Sequence, residues 1–404
     1  MNAELVAIGS ELTCGASLDT NSQWLSQELE ALGWTVTRHT TISDDLAIMI
    51  ETLRTASHRC RILLVTGGLG PTRDDITREA FAGAFNQPLV EDQSELDHIV
   101  ALFAKLGRRM PERNRSQATR PRDAVPLRNN HGSAPGILLN LREPECLVAA
   151  LPGVPREMKK MFDEQLIARF PQSPVVVRRM VLRTFGYGES HAEERLGELT
   201  NRGRNPEVGI TASGAVISLS VTARADSESA CDSLIQPVIN TIRERLGQAV
   251  FGTGTDELHD VVRRRLAEER LTVSLAEGTS TGGLISHWLS HEGDNDASVV
   301  HRDQLIPGGK DTNNLVQLCE SIQTGADYAI ATSHSRLRTD NHGAGILQGQ
   351  LAVTGPGLSR VISVDFAGDL GIFRERAARM ALNLIRLHLC GYEVDTDATI
   401  RENR

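Results

Sequence analysis

The stretch RILLVTGGLGPTRDD, residues 61–75, decides the fold that we predict for the amino-terminal part of this chain. Residues 61–66 are a continuous apolar run, which is typical of a strand buried on both faces of a parallel sheet. A glycine-rich turn follows, and a helix is predicted to begin near Ile76. A strand that ends in such a turn before a helix is the unit that doubly wound α/β folds repeat.

The flanking sequence continues this alternation. Helical spacing of apolar residues predicts one helix after Asp19, which Thr20 or Asn21 is suited to cap, and another after the turn at residues 43–45. Further strands are predicted at residues 3–8, 34–42 and 146–151. We therefore predict a doubly wound α/β domain over residues 1–168, with ligands bound beyond the carboxyl ends of its strands.

The rest of the chain predicts two further domains. Residues 169–252 read as a strand, a helix, a strand pair around Gly214 and a second helix, which is a small α+β unit. From residue 256 the chain begins again with a helix, a strand and a glycine-rich turn, so a third α/β domain is predicted over residues 256–404.

Composition agrees with a globular chain of two or three domains, because 404 residues exceed one ordinary core. The net charge of −9 argues against a nucleic-acid partner, since phosphate backbones favour clustered cations, but it leaves a nucleotide substrate open. No run of about 18 apolar residues and no signal peptide is found, so no membrane partner is expected. Six scattered cysteines fit a reducing compartment, and we expect a cytoplasmic protein.

The glycine-rich turn predicts a phosphate-binding loop. Its glycines let the backbone approach a ligand closely and point amides at it, and the helix start behind it adds a partial positive charge. The pattern is neither a Walker A loop nor a GxGxxG fingerprint. The candidate phosphate-binding residues in this stretch are Thr66, Gly67, Gly68, Gly70, Thr72 and Arg73.

Acidic residues beside this loop predict a divalent metal ion. Asp74 and Asp75 would repel a bound phosphate unless Mg²⁺, Mn²⁺ or Co²⁺ bridged the two. Glu11 and Asp19 follow the first strand and are expected in the same crevice, so these four are the candidate metal ligands and Glu11, Asp74 and Asp75 the candidate catalytic residues. The alternative is that Asp74 and Asp75 only occupy a helix's first turn and that Asp19 or Thr20 is only an N-cap.

Two later loops are candidates to complete the pocket. One is residues 132–136, and the other is residues 151–158, where Pro155 suits a first helical position. Arg156 and Lys159 would neutralise a pyrophosphate there. Together with Asn21 and Gly153, they complete the predicted nucleotide-binding residues.

These loops together resemble those of the CinA family. The matching strings are AIGSEL, DTN at 19–21, TGGLGPTRDDITREA at 66–80, RRMPERNRSQA at 108–118, GSAPGILL at 132–139 and ALPGVPREMKKMF at 150–162. The resemblance implies a molybdopterin-binding-like first domain, as in MoaB and Mog proteins, a KH-like middle domain and a homodimer. It also implies metal-dependent ADP-ribose pyrophosphatase activity in the first domain and, in some members, nicotinamide mononucleotide (NMN) deamidase activity in the last. The turn at residues 186–189 lacks the GXXG loop of RNA-binding KH domains, so we expect a structural role for the middle domain.

The third domain departs from the family's deamidase pattern. The AESCTGG-like turn reads AEGTSTGG at 276–283, one residue longer, which puts Thr279 in the nucleophile position and Ser280 in the cysteine position, or Gly278 in the nucleophile position if the alignment starts from Ala276. Residues 298–304 and 331–336 differ from the segments that support the nucleophile, and Lys310 stands several residues late. His301 and His334 have no evident partner and are expected on the surface or in loops.

The sequence therefore predicts metal-dependent hydrolysis of ADP-ribose or a related nucleotide pyrophosphate by the first domain. One alternative is a module that binds a nucleotide or molybdopterin without turnover. The other is NMN deamidation by the last domain through Thr279 or Ser280, against which the altered segments count.

Overall fold

A computed structural model describes residues 2–171, 175–290, 299–307, 314–339 and 345–392. The chain divides into two compact units. One unit consists of Met1–Arg178 with Arg224–Cys231, and the other of Arg179–Ala223 with Asp232–Arg404. The boundaries of three domains that we drew from the sequence stay a prediction.

The first unit is an α/β structure. Its strands are β1 (Asn2–Ile8), β2 (Thr35–Ile42), β3 (Ile62–Thr66), β4 (Leu89–Glu91), β5 (Thr119–Pro121), β6 (Val125–Leu127), β7 (Gly136–Arg142) and β8 (Glu145–Leu151). Its helices are α1 (Ser10–Thr13), α2 (Thr20–Ala31), α3 (Leu46–Ser57), α4 (Thr77–Ala84), α5 (Gln93–Lys105) and α6 (Pro155–Met161). The strands and helices predicted from the apolar pattern are thus confirmed within one or two residues.

Six of these strands form one sheet in the order β2-β1-β3-β8-β7-β6. Strands β2, β1, β3 and β8 are parallel, so their carboxyl ends share one edge, whereas β7 and β6 extend the sheet antiparallel. The sequence prediction contained no antiparallel strands. Only residues 143–144 separate β7 from β8, and a connection this short joins antiparallel neighbours only.

Helices cover both faces of this sheet, which explains the fully apolar β3. Leu63 and Val65 pack in a core with residues of α3 and α4, and Ile62 and Leu64 pack in a second core with residues of α2 and α6. Burial on both faces holds the register of β3, so the loop that follows it leaves the sheet at a fixed place.

The remaining elements form two further sheets. The strands are β9 (Val176–Phe185), β10 (Glu207–Ser213), β11 (Val216–Ala225), β12 (Val250–Thr253), β13 (Val273–Glu277), β14 (Val300–Leu305), β15 (Tyr328–Thr332), β16 (Arg336–Thr339), β17 (Gly345–Gly355) and β18 (Leu358–Phe366). The helices are α7 (Glu189–Leu196), α8 (Glu228–Leu246), α9 (Leu258–Glu268), α10 (Leu284–Leu289), α11 (Leu315–Ile322) and α12 (Leu370–Leu389). Short 3-10 segments cover Glu112–Ala118, Ile167–Arg169, Gly197–Thr200 and Gly247–Ala249, and a π-helical turn covers Phe162–Leu166.

One of these sheets has the order β10-β11-β9-β12, and the other has the order β14-β13-β15-β17-β16 with β18 paired to β17. The strand–helix–strand pair–helix pattern predicted for the middle of the chain is confirmed, with Gly214 in the turn between β10 and β11. The string TGPG at 354–357 covers the end of β17 and the turn that joins it to β18. Within the described ranges, no helix combines the length and the apolar character that crossing a bilayer requires.

Candidate functional site

The loop between β3 and α4 holds its glycines in a conformation that other residues rarely adopt. Gly67 has a φ of +99° and Gly68 a φ of +64°. A Cβ on Gly67 would clash with the carbonyl oxygen of Ile8, and one on Gly68 would clash with the hydroxyl of Thr77. The Thr77 hydroxyl also donates to the carbonyl oxygen of Gly67 at 2.9 Å, which fixes the loop against the start of α4. Both positions therefore require glycine.

Three consecutive backbone amides of this loop are free. The N–H groups of Gly68, Leu69 and Gly70 donate no hydrogen bond to any described residue, although the N–H of Gly67 donates to the carbonyl oxygen of Leu151 at 3.1 Å. Successive unpaired amides in a left-handed turn form an anion-binding concavity, because each needs an acceptor. The loop thus forms such a concavity, and phosphate binding by it stays a prediction.

A cavity of about 940 Å³ opens beside this loop. It is lined by the segments that follow β1, β2, β3 and β8, which are the four parallel strands. In the sheet, β2 lies on one side of β1 and β3 on the other. The cavity therefore lies at the point where the strand order reverses. Such a crevice is the usual ligand site of an open α/β sheet.

All four predicted metal ligands line this cavity, but two of them have structural partners. Asp19 caps α2 by accepting from the N–H of Ser22 at 2.9 Å, as the N-cap alternative proposed. Asp75 accepts from the N–H and the hydroxyl of Thr72. The carboxylates of Glu11 and Asp74 accept no hydrogen bond from any described residue, so they remain available to a ligand.

The carboxylates do not form a complete metal site by themselves. Among the residues that the structure describes, no three His, Cys, Asp or Glu side chains lie close enough to hold an ion together. Mg²⁺ often binds one or two carboxylates and completes its shell with water and substrate phosphate. Two free carboxylates beside an anion cradle fit that mode, and they do not fit a protein-only metal centre.

The cavity collects most of the other predicted binding residues and leaves out the basic ones. Thr66, Gly67, Gly68, Gly70, Thr72, Asn21 and Gly153 line it, whereas Arg73, Arg156 and Lys159 do not. The ammonium group of Lys159 lies 5.2 Å from the ring centroid of Trp24, and Arg156 and Arg73 are exposed. Asn21, in the first turn of α2, donates to the carbonyl oxygen of Gly153 at 2.8 Å and so connects this helix to the loop after β8.

In the third predicted domain, the hydroxyls of the candidate nucleophiles are already engaged. Thr279 Oγ1 accepts from the N–H of Ser335 at 2.8 Å, and the buried Ser280 hydroxyl packs between Ser333 and Gly349. Gly278 is buried and donates to Thr332. No base reaches either hydroxyl among the described residues.

His334 has hydrogen-bond partners, against the expectation, whereas His301 is exposed, as expected. His334 Nδ1 accepts from the N–H of Thr279 at 3.3 Å, and its Nε2 lies 3.2 Å from the carbonyl oxygen of Pro307. The His301 ring packs against Gly325. Two residues of the altered supporting segments lie outside the described residues: Ser298, which begins the segment 298–304, and Lys310.

Comparison with known proteins gives the family. Residues 4–172 match the model of a "probable molybdopterin binding domain", and residues 179–252 match that of the "damage-inducible protein CinA KH domain". A CinA-like protein of Kosmotoga olearia is 31% identical over 410 residues, which cover 96% of this chain and 98% of the relative. The chain belongs to the CinA family.

Two further similar proteins carry the CinA name. A CinA-like protein of Dictyoglomus thermophilum is 38% identical over 287 residues, covering 71% of this chain and 69% of the relative. The crystal structure of the protein CinA from Thermoplasma acidophilum is 28% identical, covering 42% of this chain and all of that one, with a TM-score of 0.39. In this CinA-family chain, residues 4–172 form the molybdopterin-binding-like α/β domain and residues 179–252 the CinA KH domain.

Sequence reasoning missed several polar residues that line the cavity. Asp44 accepts from the N–H and the hydroxyl of Ser10, both at 2.9 Å, and Glu157 accepts from Asn129 Nδ2 at 2.7 Å. Asp44 follows β2, whose carboxyl end lies beside that of β1, so the topology rule could have pointed to it. Gln117 also lines the cavity but lies far along the chain from the loop that it contacts.

Arg78 is the other residue that the sequence did not single out. It lies in the first turn of α4 with 2% of its surface exposed, and Nη2 donates to the carbonyl oxygen of Leu69 at 2.9 Å. Burial lowers the pKa of its guanidinium to about 10, although the nearby Glu79 and Asp75 act in the opposite direction. A buried cation therefore lies directly behind the glycine-rich loop.

Proposed function

We propose that the first unit hydrolyses the pyrophosphate bond of ADP-ribose or a related nucleotide, with a divalent cation bound between the ligand and the free carboxylates. The observation that carries this proposal is that one cavity holds three amides, Gly68 to Gly70, and two carboxylates, Glu11 and Asp74, none of which has a hydrogen-bond partner among the described residues. Free amides favour a phosphate, and free carboxylates repel one unless a cation lies between them.

Each group that lines the cavity has a separate role in the proposed reaction. The amides of Gly68 and Gly70 would hold phosphate oxygens, and Asn21 and Gly153 would keep the facing loop in place. A bound Mg²⁺, Mn²⁺ or Co²⁺ would supply positive charge to the phosphoryl oxygens. Whichever of Glu11 and Asp74 is less engaged with that ion would accept a proton from the attacking water.

The bond changes balance with a single water molecule. The water oxygen forms a bond to one phosphorus, the bond from that phosphorus to the bridging oxygen breaks, and the leaving phosphate keeps the electron pair. The products from ADP-ribose are AMP and ribose 5-phosphate. No oxidant or second substrate is required.

AMP release tests the proposal directly. The full chain is incubated with ADP-ribose and Mg²⁺, Mn²⁺ or Co²⁺, and AMP is measured by chromatography against a reaction containing EDTA. We expect metal-dependent AMP formation that rises linearly with protein concentration. Absence of AMP with all three ions would reject the proposal.

A second candidate is binding without turnover. The structural partners of Asp19 and Asp75 favour it, because they leave fewer carboxylates for an ion, and a protein that only binds a nucleotide or molybdopterin needs no fixed ion. Binding that is tight in EDTA and gives no product would support this alternative. Binding that depends on the ion and gives AMP would support hydrolysis.

A further inference from the structure

Arg78 carries a charge that the described part of the chain does not neutralise. The side chain is buried, and no described carboxylate forms an ion pair with it, although Glu79 and Asp75 act on its charge at longer range. Its guanidinium donates one hydrogen bond, to the carbonyl oxygen of Leu69, and the buried Nε has no acceptor. Of these two acids, Asp75 is held by Thr72 and Glu79 is exposed. A buried charge without a partner is costly, so its retention calls for a counter-ion.

The contact with Leu69 also sets the direction of the next amide. The Leu69 carbonyl oxygen accepts from Arg78 at 2.9 Å and from Gln117 Nε2 at 3.4 Å, so it is held on the protein side of the loop. Because the peptide is planar and trans, the N–H of Gly70 points in the opposite direction. That N–H donates to no described residue, and Gly70 lines the cavity.

We propose that Arg78 is the buried counter-charge and positioning residue for a phosphate group bound by the amides of Gly68 to Gly70. Arg78 does not line the cavity, so it acts through the Leu69–Gly70 peptide and through its electric field rather than by direct contact. This inference rests on the proposed function only in placing a phosphate at this loop. It does not require that the phosphate be hydrolysed.

A purely structural role for Arg78 predicts a different behaviour. If the guanidinium only tied the loop to α4, its replacement by an apolar side chain would weaken the ligand-free protein. If its charge awaits an anion, the same replacement removes a desolvation cost in the ligand-free protein and harms the complex alone. Stability without and with an anion therefore separates the two roles.

The experiment compares thermal unfolding of the full-length wild type, Arg78→Met and Arg78→Lys in increasing inorganic pyrophosphate with Mg²⁺. Arg54→Met is the matched control, because Arg54 donates to the carbonyl oxygens of Gly83 and Ala84 at the far end of the same helix. Pyrophosphate should raise the midpoint of the wild type and of Arg54→Met. Without ligand, Arg78→Met should be at least as stable as the wild type, yet it should bind pyrophosphate at least about tenfold more weakly.

Arg78→Lys should bind pyrophosphate within a few fold of the wild type near pH 7, because it keeps the charge. A buried ammonium loses its proton more readily than a guanidinium, so its affinity relative to that of the wild type should fall between about pH 8 and pH 10. The pH dependence of Arg78→Lys also tests the proposal if Arg78→Met does not fold. A constant ratio over that pH range would overturn the proposal.

Two other results would overturn it. One is an Arg78→Met protein that binds pyrophosphate as tightly as the wild type, and the other is a wild type that pyrophosphate does not stabilise. AMP release from ADP-ribose is measured separately, so the pyrophosphate measurements still test the role of Arg78 if the hydrolysis proposal fails. A wild type that binds pyrophosphate and releases no AMP would reject the proposed function alone.

Discussion

The Asp75 carboxylate accepts hydrogen bonds from the backbone N–H of Thr72 at 2.8 Å and from its hydroxyl at 2.6 Å, while the carboxylate of the adjacent Asp74 accepts none from any described residue. Both acids line the same cavity. Asp75 closes the turn between β3 and α4, and a Cβ on Gly70 would clash with its carboxylate. Two neighbouring acids of the same type therefore have different roles, one in the turn and one toward the ligand.

This difference predicts opposite effects of substitution. Asp74→Asn should reduce AMP release at least about a hundredfold and leave thermal stability unchanged, because its carboxylate has no partner to lose. Asp75→Ala should lower the free energy of unfolding by about 1–2 kcal/mol, because two hydrogen bonds to Thr72 are lost. Asp163→Asn, an exposed acid that does not line the cavity, is the control. A destabilised Asp74→Asn with normal turnover would reverse the assignment.

Gly68 gives a second prediction, which concerns the shape of the loop. Gly68→Ala meets both a positive φ and the Thr77 hydroxyl, so we expect a loss of more than about 2 kcal/mol in stability and no measurable nucleotide binding. Gly107→Ala is the matched control, because Gly107 has a φ of +68° but no atom near its added Cβ. It should lose only about 1–2 kcal/mol and keep full binding. Equal losses in both variants, measured by chemical unfolding, would show that the Thr77 contact is unimportant.

The pair of Asp92 and Arg120 predicts a pH dependence. Burial acts to raise the pKa of Asp92, but hydrogen bonds from Arg120, Ser94 and the N–H of Glu95 outweigh it and lower the pKa below the ordinary value of 3.8. The stabilisation is therefore complete above pH 3.8 and is lost as pH falls through the folded-state pKa. Urea unfolding between about pH 5 and pH 3 should show a steeper loss for the wild type than for Asp92→Asn. Parallel slopes would refute the assignment.

The last domain gives a negative prediction. Thr279 Oγ1 is engaged by the N–H of Ser335, and His334 contacts the backbone of Thr279 instead of its hydroxyl. We therefore expect no ammonia release from NMN by the full chain. Measured release that disappears in Thr279→Ala or in Ser280→Ala would contradict this expectation and restore the deamidase alternative.

The sequence predicts the framework of the first unit well, because its signals are local. The apolar run before Gly67 is buried on both sides, and the acid at Asp19 is an N-cap, as one alternative stated. Strand–helix alternation then brings loops distant in sequence to one edge of the sheet. The shared location of Glu11 and Asp74 follows from topology alone.

The sequence does not predict the parts of the site that depend on side-chain direction. Nothing in the string RDD tells which aspartate bends back to Thr72, because the geometry of the turn decides it. Arg156 and Lys159 stand three residues apart on α6, and Lys159 lies over Trp24 instead of in the cavity. Arg78 reads as an ordinary helix residue, and only the fold buries it.

The central claim is that a divalent cation allows the amides of Gly68 to Gly70 and the free carboxylates of Glu11 and Asp74 to bind one phosphate ligand together. The most direct measurement is the calorimetric affinity for ADP-ribose in Mg²⁺ and in EDTA, for the wild type and for the double variant Glu11→Gln/Asp74→Asn. The account predicts that EDTA weakens wild-type binding at least about tenfold, whereas the double variant binds equally well in both buffers. Wild-type affinity that is the same with and without the ion would contradict it.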